Sequence, residues 1–358
     1  MMRIALDATP LTVPSGGERR YTEELTRALG QCFPEDELWL LSDQMFEEPP
    51  RLPANVKIGR GPRNVLERRW WLWGLQGEIS RLGIDVFHGT DFAVPYIKIR
   101  PSVMTLHDLS PWMDPAWHLH SDRVRNRTPM LLRLGLATLV ITPSEAVRKQ
   151  AIERFHLTAD RVISVPHGAA PHLHRVVTPP PATPYLLYVG TLEPRKNLGM
   201  LLDVWRQLRK TRHIDLVLAG RRRDDFPEFQ PEPGLHLKGF TAEDELAALY
   251  SGALAVVYPS YYEGFGLPVL EAMQCGAAVV ASNDAAIAEV AGDAAILLDA
   301  RDEHAWIEAL EALMDHPERL REMCEKALAR AGEFSWHKAA RLTHEVYGHA
   351  IERFRHKA

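Results

Sequence analysis

The segment EGFGLPVLE carries two glutamates, Glu263 and Glu271, on either side of two glycines. The apolar run LAVVYPS before it predicts a strand, and Pro268 suits the first position of a following helix. A helix N-terminus after a glycine-bearing loop can bind an anion or hydroxyl groups through backbone amides. The two carboxylates could accept hydrogen bonds from different hydroxyls of one ligand, unless Glu271 only complements the helix dipole.

Arg195 and Lys196 lie in the segment GTLEPRKN, at the end of another predicted strand, YLLYVGT. The planar guanidinium of Arg195 and the point charge of Lys196 together suit a diphosphate. They could equally be a solvated pair of cations that precedes a helix. The charge run Arg221, Arg222 and Arg223 follows the next strand and is typical of a solvated loop, so only its strand-end position favours a phosphate role.

Gly16 and Gly17 precede a predicted helix after the first strand, as the backbone of an anion or acceptor site would. A flexible turn explains them equally well, and the missing GxGxxG motif disfavours a nicotinamide dinucleotide site. His107 follows a further strand in the segment MTLHD, next to Asp108. A lone histidine is more often structural, but the strand end and the neighbouring carboxylate favour a functional role.

Several kinds of site are absent from the sequence. It contains neither the phosphate loop GxxxxGK[ST] nor a DxD motif, whose carboxylates would suit a divalent metal. Cys32, Cys275 and Cys324 are too widely spaced for a CxxC site. Other histidines lack the compact spacing of metal ligands, and we expect surface or packing roles for them: His88, His118, His120, His167, His172 and His174. We therefore expect neither a metal nor a cofactor.

The length of 358 residues predicts two domains, and the formal charge of −5 argues against a generic nucleic-acid binder. Short apolar strands alternate with helices on both sides of a proline-rich stretch, which predicts two parallel sheets in an α/β arrangement. We place an N-terminal Rossmann-like domain at 1–170, a linker at 171–184, a second Rossmann-like domain at 185–335 and a C-terminal helix at 336–358. Ligands of such domains bind at the carboxyl ends of the strands.

The individual elements follow from the same alternation. Strands are predicted at 3–8, 38–42, 85–90, 102–108, 139–144 and 162–168, and then at 185–191, 214–220, 235–240, 254–260, 277–282 and 294–299. Helices are predicted at 18–29, 144–155, 302–316, 317–330 and 336–355. The chain thus ends in helices without another strand.

The first residues lack the long apolar core of a signal peptide, and no apolar run approaches the ~20 residues of a membrane-spanning helix. We therefore expect a cytoplasmic protein. The segment at 60–75, RGPRNVLERRWWLWGL, mixes arginines with tryptophans, which suits peripheral contact with anionic lipids at the inner face of the membrane. Tryptophans in three of four positions do not share one helical face, so a core helix with basic flanks is favoured over membrane contact.

In this order and at these strand ends, the motifs resemble the retaining family 4 glycosyltransferases of the GT-B fold, the glycosyl transferases group 1. The resemblance covers nearly the whole chain and extends to HGTDFAVP at 88–95 and TPSE at 142–145, which look like bacterial members that build surface polysaccharides. It implies two Rossmann-like domains that face each other across a cleft. It also implies that the C-terminal helix, beginning near FSW at 334–336, crosses back to the first domain.

The resemblance further implies a role for each candidate site residue. Arg195 and Lys196 would hold the diphosphate of a nucleotide-sugar donor without a metal, and Glu271 would receive the ribose hydroxyls. Glu263 would face the donor sugar, and His107 would contact that sugar from across the cleft. The expected catalytic residues are thus His107, Glu263, Arg195 and Lys196. Backbone contacts would come from Gly16, Gly17, Gly190, Gly264, Phe265, Gly266 and Leu267.

The family leaves the anomeric configuration of the sugar unchanged, which implies an oxocarbenium-like state in which the departing diphosphate helps to deprotonate the acceptor hydroxyl. The sequences of the segments GTLEPRKNL and HGTDFAVP resemble those of members that use GDP-mannose. The expected acceptor is a saccharide or lipid-linked saccharide. A UDP-sugar donor is the alternative. Two other classes stay open, a sugar-nucleotide epimerase of the same architecture and a non-catalytic sugar-nucleotide sensor.

Overall fold

The computed structural model describes residues 1–13, 16–118, 121–177, 179 and 181–356. Some predictions therefore fall outside the described residues: those for His120, for Thr178 and Pro180 in the predicted linker, and for Lys357 and Ala358 at the end of the predicted C-terminal helix.

The chain divides into two compact units, each of which is described by itself. Unit 1 comprises Met1–Met113, His118–Gly168 and Ser335–Ala358, and unit 2 comprises Asp114–Trp117 and Ala169–Phe334. The boundary thus follows Gly168, and the proline-rich stretch at 171–184 belongs to unit 2. The short segment Asp114–Trp117 joins unit 2 although the residues on both sides of it belong to unit 1.

In the described part of unit 1, seven parallel strands form one sheet in the order β3-β2-β1-β4-β5-β6-β7. The strands are β1 (Arg3–Asp7), β2 (Glu37–Leu41), β3 (Val56–Ile58), β4 (Val86–Gly89), β5 (Ser102–Thr105), β6 (Leu139–Thr142) and β7 (Val162–Ser164). The central strands β4, β5 and β6 are buried along their whole length, as expected when helices cover both faces of a parallel sheet.

The helices of unit 1 are α1 (Gly17–Cys32), α2 (Leu75–Leu82), α3 (Asp122–Arg133), α4 (Glu145–Phe155) and the last helix of the chain, Trp336–Arg355. That last helix packs on α1 and contributes Trp336, Val346 and Tyr347 to the core that also contains Ile4 and Leu6 of β1. The C-terminal residues therefore complete the core of unit 1, although the chain reaches them only after unit 2.

In the described part of unit 2, six parallel strands form a sheet in the order β10-β9-β8-β11-β12-β13. The strands are β8 (Tyr185–Val189), β9 (Asp215–Ala219), β10 (Leu235–Gly239), β11 (Ala255–Tyr258), β12 (Val279–Ser282) and β13 (Ile296–Leu298). The helices are α5 (Leu198–Leu208), α6 (Glu243–Gly252), α7 (Leu267–Gln274), α8 (Ala285–Ala291), α9 (Glu303–Asp315) and α10 (Pro317–Ala331), which makes Trp336–Arg355 α11.

Every strand predicted from the sequence is present, usually one to three residues shorter at its carboxyl end. This is because the polar residues that close each apolar run form the strand-end loops. The strand β3 was not predicted: it has three residues at the edge of the sheet, and two of them are exposed. An edge strand with so little buried surface carries almost no hydrophobic pattern.

Candidate active site

The turn after β8 positions the two cations predicted to bind a diphosphate. Gly190 has a φ of 146°, and a Cβ there would lie 2.9 Å from the Tyr188 hydroxyl, so this position requires glycine. Pro194–Lys196 form one turn of 3₁₀ helix, and Asn197, with a φ of 55°, leads into α5. Both cations therefore lie side by side where the strand ends.

The loop after β11 brings Glu263 onto the same two cations. Lys196 Nζ donates to Glu263 Oε1 over 2.6 Å and to the Tyr258 hydroxyl over 3.0 Å. Arg195 donates to Glu263 Oε2 over 3.1 Å and to Glu193 Oε1 over 2.9 Å. All four charged side chains are buried. One guanidinium and one ammonium group thus meet two carboxylates, and we call Glu193, Arg195, Lys196 and Glu263 the ion cluster.

The cations of the ion cluster hold the buried Glu263 carboxylate in its ionised form. Burial raises the pKa of Glu263, but the adjacent Lys196 and Arg195 outweigh it and lower that pKa to about 2. Burial and the neighbouring Arg195 lower the pKa of Lys196, while Glu263 opposes that shift. Glu263 is therefore a stable carboxylate at neutral pH, and it fixes the positions of both cations.

Glu193, Arg223 and Trp117 also belong to this region. No role for Glu193 or Trp117 was predicted from the sequence, and Arg223 was predicted as part of a solvated loop with only its strand-end position favouring a phosphate role. Arg223 lies 3.4 Å from Glu193 Oε2 and donates to the Trp117 carbonyl oxygen. The Trp117 ring stacks on Tyr262, with ring centres 6.4 Å apart. The one available signal was the position of Arg223 in the arginine run after β9. Nothing in the local sequence indicates that Trp117, so far away along the chain, lies here.

Helix α7 positions the second glutamate. Gly266, with a φ of 95°, precedes the helix, which begins at Leu267, so Pro268 is its second residue and not the first as predicted. Glu271 is only 2% exposed, and the Tyr250 hydroxyl donates to its Oε2 over 3.1 Å. The carboxylate of Glu271 is thus fixed from α6 and lies outside the ion cluster.

The residues between the two glutamates form a short, mostly buried connection. Glu263 and Phe265 are buried, and the Phe265 ring packs edge-on against Phe334 at 6.0 Å. At Gly266 a Cβ would find only ordinary van der Waals contacts, so its left-handed backbone, and not lack of space, favours glycine there. Gly264 completes this connection between the ion cluster and the start of α7.

In unit 1, His107 lies just beyond β5 and is held as a neutral imidazole. Its Nε2 is 2.7 Å from the Thr90 carbonyl oxygen, which accepts only, so Nε2 carries the proton and donates. Burial lowers the pKa of His107, partly opposed by the nearby Asp91. The Tyr21 ring packs edge-on against His107 at 4.8 Å. The ring is therefore fixed with Nδ1 as its acceptor atom.

The other sequence-predicted residues of unit 1 are the paired glycines. Gly16 has a φ of 141° and caps α1, which begins at Gly17. Both glycines are exposed, and a Cβ on either would find no atom within 4 Å. The space beside this backbone is open within the described residues, as the approach of a ligand would require.

Two carboxylates at strand ends of unit 1 were not singled out from the sequence. Asp7 ends β1 and is buried, and loss of hydration raises its pKa to about 7 although Thr9 donates two hydrogen bonds to it. Asp91 follows β4, where burial and the nearby Glu18 raise its pKa to about 7. Their position at or just after the end of a strand was the available signal, and their neighbours became clear only from the fold.

A buried chain of hydrogen bonds lies behind His107. The Tyr21 hydroxyl is 2.9 Å from Thr105 Oγ1, which is 2.8 Å from His88 Nε2, and His88 Nδ1 is 2.7 Å from the Tyr347 hydroxyl. His88 thus has the packing role expected from the sequence. These hydrogen bonds connect α1, β5, β4 and α11 beneath the loop that carries His107.

The segment at 60–75 combines core and surface residues. Trp70 is buried in a core with Leu75 and Phe87, within a π-helical turn at Trp70–Gly74. Trp73, by contrast, is 52% exposed, so the interpretation as a core helix holds for only part of the segment. In the ranges that the structure covers, no helix is long and apolar enough to cross a membrane.

Two sequence profiles together match nearly the whole chain. Glycosyltransferase Family 4 matches residues 15–173, and Glycosyl transferases group 1 matches residues 171–330. The O-antigen chain mannosyltransferase B of Escherichia coli is 32% identical, over 97% of this chain and 99% of that protein.

Solved structures share the fold. The sucrose-phosphate synthase from Thermosynechococcus elongatus has a TM-score of 0.75 at 18% identity, over 98% of this chain and 100% of the other. Anabaena HepE, solved with UDP-glucose, has a TM-score of 0.72 at 17% identity, over 97% of this chain and 100% of the other. Both similarities concern the fold, and the GT-B architecture predicted from the motifs is confirmed.

Proposed function

Because this chain belongs to the glycosyltransferases of family 4 and group 1, we propose that it moves a mannosyl residue from GDP-mannose to a hydroxyl of a saccharide or lipid-linked saccharide, with retention of configuration. The product would extend a surface polysaccharide or lipopolysaccharide. The ion cluster is the observation that carries the proposal, because buried, fixed cations at a strand end suit a departing diphosphate.

Arg195 and Lys196 bind the diphosphate and stabilise the charge that develops on it as its bond to the sugar breaks. They start from fixed positions, since Glu263 and Glu193 already hold them, so little reorganisation is needed when the donor binds. The ionised Glu263 faces the sugar, where it can accept hydrogen bonds from hydroxyls. The positive charge is thereby concentrated on the diphosphate side of the reacting bond.

Glu271 receives the ribose hydroxyls, in a position that the Tyr250 hydroxyl fixes. His107 contributes Nδ1 as an acceptor for a hydroxyl of the donor sugar, because Thr90 holds its other nitrogen. Gly16 and Gly17 offer unobstructed backbone to the substrate. The departing diphosphate helps to deprotonate the acceptor hydroxyl, so the scheme requires neither a covalent carboxylate nucleophile nor a metal.

Donor binding tests the proposal directly. Calorimetry should show that GDP binds in EDTA, that magnesium does not strengthen binding, and that Arg195→Ala weakens it at least tenfold, because a charge-assisted contact contributes about 1.5 to 3 kcal/mol. Arg319→Ala, which removes an exposed arginine of α10, is the matched control and should bind normally. Tighter binding of UDP than of GDP would show that the donor is a UDP-sugar. Binding only with magnesium would refute metal independence.

Product analysis separates transfer from the other two classes. With GDP-mannose and a mannose-containing acceptor, the enzyme should form an α-linked product, whose configuration nuclear magnetic resonance would show. An epimerase would instead change the sugar nucleotide when no acceptor is present. A sensor would bind the nucleotide sugar and leave it unchanged with any acceptor.

We also propose peripheral membrane contact through the segment at 60–75. Val65 is 78% exposed, Leu66 is 70% exposed, and Trp73 lies nearby in the chain. The exposed arginines of the segment are Arg60, Arg63, Arg68 and Arg69. Apolar side chains beside guanidinium groups fit the boundary between anionic headgroups and acyl chains. Leu66→Ser should reduce cosedimentation with phosphatidylglycerol vesicles, and equal sedimentation of variant and wild type would refute the contact.

A further inference from the structure

A cavity of about 230 Å³ lies at the opposite edge of the unit 1 sheet from His107. Its wall includes Thr138, directly before β6, and Arg161, directly before β7. Lys98 lies on the segment that leads into β5, and Arg353 comes from α11. Because parallel strands all begin at the same edge, this is the amino edge of the sheet, whereas His107 lies beyond the carboxyl end of β5.

Cationic side chains dominate the polar lining of this cavity. Arg161 donates to the Ala137 carbonyl oxygen over 2.8 Å, which fixes its guanidinium at the wall. Lys98 donates to the Gly135 carbonyl oxygen over 2.6 Å. Arg353 forms an ion pair with Asp160 over 2.5 Å. Two guanidinium groups and one ammonium group thus line a space large enough for a phosphate group.

The guanidinium group of Arg161 lies in an electrostatically unfavourable environment that a bound anion would make favourable. Burial and the nearby Arg353 both lower the pKa of Arg161, against the smaller effect of Asp160. Two like charges in a partly desolvated cavity repel each other, and an anion between them would turn that repulsion into attraction. Thr138 adds a hydroxyl that accepts from the Ser102 amide over 3.2 Å and so keeps its own proton available to donate.

We propose that this cavity is a binding site for a phosphate group, separate from the donor site of unit 2. The Lys98 ammonium group, the Arg161 and Arg353 guanidinium groups and the Thr138 hydroxyl would bind the phosphate oxygens. Leu134, which is 64% exposed, and Phe354 line the same cavity, so a ligand with an apolar group next to its phosphate also fits. The phosphate can come from a membrane lipid or from a free phosphate. The site does not depend on the proposed transfer reaction.

The test uses the double variant Lys98→Gln/Arg353→Gln, which removes two cations and leaves Arg161 to support the β6 and β7 loops. The matched control is Arg355→Gln, an exposed arginine at the end of the same helix. Thermal unfolding is followed against inorganic phosphate at constant ionic strength, since a ligand that binds the folded state raises its melting temperature. The same series in Arg195→Ala excludes a contribution from the donor site.

The wild type and Arg355→Gln should be stabilised by phosphate, and the double variant should need at least tenfold more phosphate for the same shift. A second arm measures cosedimentation with phosphatidylglycerol vesicles. Loss of vesicle binding in the double variant alone would identify a lipid phosphate as the ligand, and loss of only the phosphate response would identify a free phosphate. If the double variant behaves like Arg355→Gln in both arms, the proposal is wrong.

Discussion

The carboxyl ends of the two sheets carry buried ionisable groups in opposite states. In unit 2, Glu263 is buried beside Lys196 and Arg195, and its pKa falls to about 2. In unit 1, Asp7 is equally buried, the nearby Arg127 has only a small opposing effect, and burial raises the pKa of Asp7 to about 7. Burial favours the neutral form in both cases, so the adjacent cations decide the outcome.

The two carboxylates therefore contribute to stability with opposite dependence on pH. The lowered pKa of Glu263 adds stability above its unfolded value of 4.5, and this is lost as pH falls towards 2. The raised pKa of Asp7 adds stability below its unfolded value of 3.8, and this is lost as pH rises through 7. The ion cluster of unit 2 presents fixed charges to a ligand at neutral pH, whereas Asp7 and His107 of unit 1 remain partly or wholly neutral.

Removal of a cation should have the largest effect, because it would make Glu263 resemble Asp7. Lys196→Met leaves the Glu263 carboxylate buried with only Arg195 as its cationic partner, and breaking such a pair costs about 3 to 5 kcal/mol. Urea unfolding should show this loss, and sugar transfer should fall at least tenfold. Lys210→Met removes an exposed lysine near the end of α5 and should change neither quantity. Wild-type stability in Lys196→Met would show that the ion cluster does not hold the loop.

Replacement of Asp7 should remove the loss of stability that its ionisation causes as pH rises. The increase in the pKa of Asp7 to about 7 corresponds to about 4 kcal/mol of stability lost between acidic and alkaline pH. Asp7→Asn keeps the shape of the side chain without its charge, so its unfolding free energy should decline less between pH 4 and pH 8. Asp224→Asn, at an exposed position of unit 2, should follow the wild type. Parallel curves for Asp7→Asn and wild type would contradict a neutral Asp7.

The sequence predicted best what depends on local pattern. The apolar runs located all the strands except β3, and the spacing of Glu263 and Glu271 identified the loop and helix that carry them. Arg195 and Lys196 could be singled out because their charges follow a strand directly. In each case, residue type and strand-end position are both properties of one short segment.

What the sequence missed depends on contacts between distant segments. Glu193 lies two residues before Arg195, yet its role as an ion-pair partner requires the folded turn after β8. Tyr258 contacts Lys196 only because β11 and β8 are neighbours in the sheet. Trp117 reaches Tyr262 from a separate part of the chain. Such contacts follow from topology, and no local pattern encodes them.

Replacement of His107 tests whether this neutral residue of unit 1 contributes to the transfer step and not to nucleotide binding. His107→Ala should lower the rate of transfer at saturating donor about tenfold, the effect of one hydrogen bond of about 1.4 kcal/mol, and leave the affinity for GDP nearly unchanged. Because burial lowers the pKa of His107, the wild-type rate should not fall as pH decreases through 6.5. His349→Ala, on the exposed side of α11, is the control. An equal loss of GDP affinity would place His107 in nucleotide binding.

The glycines offer the most selective comparison, because one of the two replacements should leave stability unchanged. Gly266→Ala forces a residue with a Cβ to adopt a φ of 95° before α7, which costs about 1 to 2 kcal/mol in stability without a steric clash. Gly17→Ala places its Cβ in open space at the start of α1 with no such backbone strain, so stability should not fall. If substrate approaches this backbone closely, Gly17→Ala should nevertheless raise KM for the acceptor. Unfolding and kinetics measured together then distinguish two requirements for glycine. Gly266 of unit 2 is required for the backbone conformation, and Gly17 of unit 1 is required for the close approach of the substrate. A normal KM in Gly17→Ala would leave that position as a simple turn.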